Sequence, residues 1–219
     1  LFREGKAGQR MTAVVLHRPH PGASRHPSPV AAGEGSGVRG KRYRLATEQD
    51  LAVYRAAETA LEQKRQALWA EWGMDPVPDE PLPLMSGVFN VPIYGLTRWG
   101  DLFNARQKLA LITFAEKVRR AHAEMLRQGA DPEFAKAVTT YLAIGVDRLA
   151  DYNSTQCVWN TRKELVAHTF GRQALQMVWD YVEVNPLSNA TGNWSDSFEY
   201  LLGVLSHLTQ IPPVEEEGR

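Results

Sequence analysis

The sequence has little of what would announce chemistry. Cys157 is the only cysteine among 219 residues, which excludes a disulfide framework and a structural zinc site built from several thiolates. Val158 and Trp159 follow it, and no neighbouring basic residue lowers its pKa, so a buried free thiol is expected rather than a nucleophile. No run of about 18 apolar residues occurs, so nothing is expected to span a membrane. A charged segment followed by an apolar one, as in a secretory leader, is also missing. The expectation is a soluble, cytoplasmic protein. Gly33, Gly35, Gly37 and Gly40 alternate outside any strand–turn–helix context, so no phosphate-cradling loop and no nucleotide-cofactor pocket is expected.

Charge of one sign is lacking overall but not locally. Lys plus Arg and Asp plus Glu number 25 each, for a formal net charge of zero. Residues 1–46 nevertheless carry nine basic residues against Glu4 and Glu34, and residues 101–172 carry eleven against eight. Two basic blocks are compatible with contact to a polyanion, although a neutral chain is weak support for it. The chain opens at Leu1 and its first Met is Met11, which reads as an internal segment of a longer protein. A 43% hydrophobic content with six Trp is enough for a sizeable core.

Residues 11–18 are rich in β-branched and aliphatic side chains, and residues 41–46 alternate basic with apolar; together they predict a small hairpin. The Pro/Gly/Ser-rich stretch between them, Pro19 to Gly40, predicts a mobile loop, and residues 1–46 form a basic hairpin-like region. Thr47-Glu48-Gln49-Asp50 opens a helix that Gly73 closes, giving a helix over 47–73. Residues 74–100 read as a proline-rich linker, extended or irregular where the prolines are densest.

From Asp101 a helical domain is expected to run to residue 208. Leu111, Phe114, Ala115, Val118 and Met125 share a face up to Gly129. Asp131-Pro132-Glu133 starts the next helix, whose stripe is Phe134, Val138, Tyr141, Leu142, Gly145, Val146 and Leu149. A third helical run is expected within 162–183, and a fourth from Asp196 to Leu208. The tail 209–219 is expected to be disordered. The fold class is therefore mainly α with a small N-terminal β element (α+β).

Candidate chemistry is sparse. His17, His20 and His26 fall in or beside the first loop without a carboxylate, which suits a basic loop better than a metal site. His122, His168 and His207 are isolated. Asp147 and Asp151, four residues apart on one helix, would repel unless a cation sits between them. Arg148 can reach Asp151, so a buried or half-buried ion network of Asp147, Arg148 and Asp151 is expected rather than a catalytic carboxylate pair.

Long, ordered words carry a resemblance. Tyr94-Gly95-Leu96-Thr97-Arg98-Trp99-Gly100-Asp101-Leu102-Phe103-Asn104-Ala105-Arg106-Gln107 is followed by Tyr141-Leu142-Ala143 and by Val146-Asp147-Arg148-Leu149-Ala150-Asp151-Tyr152-Asn153-Ser154. Then come Thr169-Phe170-Gly171-Arg172-Gln173-Ala174-Leu175, Met177-Val178-Trp179-Asp180 and Glu183-Val184-Asn185-Pro186. This order resembles the adenine-specific DNA methylases that carry a zinc-ribbon insert, over roughly residues 41–208. The resemblance implies a fragment of a larger methyltransferase that moves a methyl group from S-adenosylmethionine to adenine N6. The family's cofactor motif belongs upstream, its Asp-Pro-Pro-Tyr motif downstream, and its zinc ligands are missing. No catalytic, cofactor or metal residue is therefore carried over, and the chain alone is expected to be inactive.

Asn185-Pro186-Leu187-Ser188 could be mistaken for the catalytic motif, but Leu187 and Ser188 replace its second proline and its stacking aromatic; a helix stop is expected there. The implied role is a non-catalytic target-recognition or structural region, partnered by the rest of the methyltransferase chain and, through it, by DNA. The alternative is a helical scaffold or protein-interaction module without DNA contact. The candidate DNA contacts lie in 153–173: Arg162, Lys163, Arg172, Gln173, Asn153 and Trp159. Amides can read adenine edges there, and cations can neutralise phosphates.

Overall fold

The computed structural model describes residues 13–16, 42–85 and 87–211. The loop histidines His17, His20 and His26, the whole loop Pro19 to Gly40, and the tail beyond Ile211 lie outside the described residues. The chain is mainly helical, with small β elements. Strands β1 (Ala13–Leu16) and β2 (Arg42–Leu45) pair antiparallel, with Ala13 opposite Leu45. Four helices follow: α1 (Glu48–Trp72), α2 (Ala105–Arg127), α3 (Pro132–Tyr152) and α4 (Trp194–Leu208). None of the described helices is long and apolar enough to cross a membrane.

Local chemistry explains the helix ends. The Asp50 carboxylate accepts the Thr47 backbone N–H at 2.8 Å and the Thr47 hydroxyl at 2.7 Å, and it takes both terminal guanidinium nitrogens of Arg44. This ties β2 to the first turn of α1 and holds the Asp50 carboxyl far below the usual carboxylate range. Gly73 closes α1 at φ +71°, a left-handed conformation that a residue with Cβ rarely adopts. At α3, Asp131 accepts the Phe134 N–H at 2.9 Å, with Pro132 in the first helical position.

Each helix packs on its chain neighbour, α1 on α2, α2 on α3 and α3 on α4. Lys64 of α1 reaches Glu116 of α2 at 2.6 Å, and Arg120 reaches the same carboxylate at 2.5 Å. Leu68, Val77 and Ile112 fill the space beside that bridge. Trp194 seats against Gly145 of α3 at 3.4 Å from where a Cβ would stand, and stacks on Phe114 at 4.7 Å between ring centroids. The α3 stripe is only partly covered. Gly145 and Leu149 are buried, whereas Phe134 is 60% exposed and Tyr141 is also exposed.

The proline-rich stretch is irregular, as its composition requires, and it is packed. Val77, Leu82 and Val91 are buried, and Leu82 and Val91 join Leu102 and Leu175 in one cluster. Short 3₁₀ turns at Val91–Tyr94 and Trp99–Leu102 lead into α2.

The third helix expected within 162–183 does not form. Strands β3 (Val158–Asn160) and β4 (Leu165–Ala167) make an antiparallel hairpin instead, and irregular chain follows. The Asn160 side-chain oxygen accepts the N–H groups of Arg162 at 3.1 Å and Lys163 at 3.0 Å, a local turn that competes with a helix. Glu164 then adopts φ +49°. Asn185–Ser188 is likewise a turn, with Asn185 accepting from the backbones of Leu187 and Ser188 at 3.0 Å, and no helix precedes it to be stopped.

Gly100 offers a sharp test of this packing. A Cβ there would lie 2.6 Å from the Pro78 carbonyl oxygen, which the Gly100 N–H already holds at 3.0 Å. Gly100→Ala should destabilise the chain by roughly 1–3 kcal/mol, as overpacking does. Urea unfolding reads this; an unchanged midpoint would mean that the proline-rich segment yields freely.

Candidate functional site

The words that carry the resemblance meet in a buried polar seam. Its first element is the start of α2, where Asn104 and Gln107 cap the helix reciprocally. The Asn104 side-chain oxygen accepts the Gln107 N–H at 3.0 Å, and the Gln107 side-chain oxygen accepts the Asn104 N–H at 2.9 Å. The Asn104 side-chain nitrogen remains free to donate across the seam, to the Tyr181 hydroxyl at 3.0 Å and to the Glu183 carboxylate. Arg106 pairs with the same carboxylate and lies over the Tyr54 ring of α1 at 5.2 Å. Burial raises Glu183 above the ordinary glutamate value of 4.5, with Arg106 opposing it, and burial also pushes up the Tyr181 phenol.

The second element is the turn after α3. The Thr155 N–H and hydroxyl both donate to the Leu102 carbonyl, at 2.7 and 2.9 Å. Gln156 accepts from Val178 N–H at 3.2 Å. Ser154 bonds Thr169 at 2.8 Å, and Thr169 donates to the Asp151 carbonyl at 2.7 Å. Cys157 is fully buried behind these hydroxyls, with its thiol pKa pushed up by burial. That is the inert thiol its neighbours suggested.

The sequence candidates separate. Asn153 is 1% exposed, and its side chain donates to the Leu149 carbonyl at 3.0 Å, so it is a buried C-terminal cap and not a base reader. Trp159 is half-buried against Cys157, Val166 and Val184. Arg162 and Lys163 are exposed at the β3–β4 tip, and Arg172 and Gln173 are exposed in the turn after Phe170.

The expected ion network of Asp147, Arg148 and Asp151 is corrected. The guanidinium of Arg148 lies over two rings, Tyr200 at 4.2 Å and Tyr152 at 5.4 Å, with no ion pair to either acid among the described residues. Asp151 instead bonds His168 Nδ1 and the Phe170 N–H, each at 2.9 Å. The side chain of Asp147 is exposed and, partly desolvated, has its pKa raised. An Arg one position along a helix from Asp147 points away from it, and two aromatic faces compete for the guanidinium. All three residues border a shallow groove of about 410 Å³ between α3 and α4, beside Ile144, Phe170 and Tyr200.

Neither Tyr181 nor Glu183 is among the site residues expected from the sequence, although Glu183 opens one of the words of the resemblance, and the Asn104-to-Gln107 spacing is a capping-box pattern that a helix start placed at Asp101 overlooks. Among the described residues, no three His, Cys, Asp or Glu side chains converge as a metal ion would require. Comparison with protein-family models, curated proteins and solved structures finds no match to the chain.

Arg148→Ala should therefore cost about 1–2 kcal/mol, the scale of two cation–π contacts, rather than the roughly 3–5 kcal/mol of a broken buried ion network. Denaturant unfolding distinguishes the two. For Glu183 the folded chain keeps its proton to higher pH than the unfolded chain. Its contribution to stability thus declines as pH rises from 4.5 through the folded pKa, then levels. Glu183→Gln removes this titration, so the stability of wild type relative to the variant should fall over that window; a difference independent of pH would contradict the burial of the carboxyl.

Proposed function

We propose that the chain is a non-catalytic segment of an S-adenosylmethionine-dependent DNA N6-adenine methyltransferase, and that it meets DNA through the tip of the β3–β4 hairpin. The resemblance supplies the reaction class. The observation that carries the segment's role is the pair Arg162 and Lys163, exposed, adjacent and without an ion-pair partner among the described residues. Their backbone is fixed by Asn160, and the hairpin beneath them is anchored on Val166 and Cys157 in a buried cluster. Cations held this way position a phosphate backbone and leave base reading to other groups. Arg172 and Gln173 are the remaining exposed candidates. Cofactor binding and the groups that hold a flipped adenine belong, in this reading, to the rest of the enzyme.

A second reading, a helical scaffold without DNA contact, is favoured by the apolar side chains left exposed on α3 and α4, including Phe134, Ile144, Tyr200 and Val204. One experiment separates the two. In the full-length enzyme, Arg162→Ala with Lys163→Ala should weaken DNA binding and flatten the dependence of log K on log salt by about one unit for each lost phosphate contact. An unchanged affinity and slope would leave the scaffold reading standing.

A further inference from the structure

Helix α4 turns Trp194, Ser197, Leu201 and Leu205 toward the protein, where Ser197 is fully buried and the others are half-buried. More than a third of a turn round the helix, at the 4-3-4 spacing of a helical seam, stand Asp196, Tyr200, Gly203 and His207. These four, with Glu199 and Val204, border a shallow depression on the outer face of the helix. Tyr200 is 65% exposed, and nothing lies within 4 Å of where a Gly203 Cβ would stand. Among the described residues neither Asp196 nor His207 has a side-chain ion pair.

We propose that this face binds a second copy of the chain, with the two α4 helices antiparallel about a two-fold axis passing between Leu201 and Leu202. The order acid, tyrosine, glycine, histidine is self-complementary under that operation. Asp196 faces His207 of the second copy and Tyr200 faces its Gly203, and the same two contacts repeat on the other side of the axis, as an isologous interface requires. The pairing sets a carboxylate against an imidazole N–H and a large ring over a bare backbone, so each protrusion meets a hollow. Antiparallel helices also set the positive end of each helix dipole beside the negative end of the other. Parallel pairing would set Tyr200 against Tyr200 and Asp196 against Asp196. On the inner side, the Arg148 guanidinium 4.2 Å from the Tyr200 centroid fixes the ring that the seam uses. The inference rests on α4 alone and does not depend on the methyltransferase reading.

A helix of 15 residues offers a short contact, about 22 Å long at 1.5 Å per residue. A dimer in the micromolar range is therefore expected. Sedimentation velocity on the 219-residue chain should show a monomer–dimer equilibrium. Gly203→Arg should raise the dissociation constant at least about tenfold while keeping or raising the melting temperature, because the site is open and glycine is a poor helix former. Register is read separately, by mixing a Tyr200→Cys chain with a Gly203→Cys chain under mild oxidation; the native thiol, Cys157, is buried and does not compete. Mixed disulfides should dominate. A chain that stays monomeric to about 100 μM would overturn the proposal. So would a dimer that Gly203→Arg leaves intact, or a cross-link pattern dominated by Tyr200→Cys homodimers.

Discussion

One carboxamide, that of Asn104, is the point on which the middle of this molecule turns. Its oxygen begins α2 and its nitrogen fastens the chain at Tyr181 and Glu183, some eighty residues away. Both functions are possible because an amide carries an acceptor and two donors on one planar group. Aspartate could cap the helix equally well, but it would face Glu183 with a like charge. Alanine would leave the Gln107 N–H without its cap and would remove the amide donor from Tyr181 and Glu183, and unmade buried hydrogen bonds are costly. Once α2 starts at Ala105, the Leu102 carbonyl is set, and that carbonyl accepts both bonds of Thr155. The turn after α3, and the hairpin that follows it, inherit their position from there.

Glu116 and Glu183 show how the same side chain answers to different surroundings. Each is largely withdrawn from solvent. Glu116 has Lys64 and Arg120 within 2.6 Å, and these hold its carboxyl below the usual range. Glu183 has Arg106 as its one charged partner, so desolvation wins and its carboxyl moves upward. A buried ion pair of the second kind contributes little net stability, and its worth lies in fixing which segments meet. Here it joins α2 to the strand-like segment at Tyr181, with Tyr54 of α1 against the far side of the guanidinium.

The helices were legible in the sequence wherever burial is one-sided and caps are local. Thr47 to Gly73 and Asp131-Pro132 announce their own ends, and the helix expected over Asp196 to Leu208 forms with its start two residues earlier, at Trp194. Residues 153–184 were not legible, because they are organised by partners far off in the chain: Thr155 by Leu102, Gln156 by Val178, Thr169 by Asp151. Periodicity registers apolar spacing and is blind to side-chain amides and hydroxyls that satisfy backbone at a distance. The apolar run Val178, Trp179, Tyr181 and Val182 therefore read as helix, although Val158 bridges Tyr181 and Val182 donates to Cys157 as strand neighbours do. Arg148 misled for a related reason. Sequence spacing brought it near two acids, while Tyr200, from a helix fifty residues later, supplied the partner it takes.

The arrangement of the helices explains why both candidate surfaces exist. A row in which each helix rests on the one before it covers the middle members on two sides and the last member on one. Helix α4 is that last described member, so its inner face is closed by α3 and Trp194 while its outer face stays open. A helix that carries Tyr200 and Val204 at more than half of full exposure beside an open Gly203 gains by covering that side. The hairpin tip has the opposite character. It projects cations from a packed base, and nothing about it improves by losing water. Apolar cover and exposed charge thus fall on separate elements, anchored through different neighbours, and a partner on α4 need not occlude the β3–β4 tip.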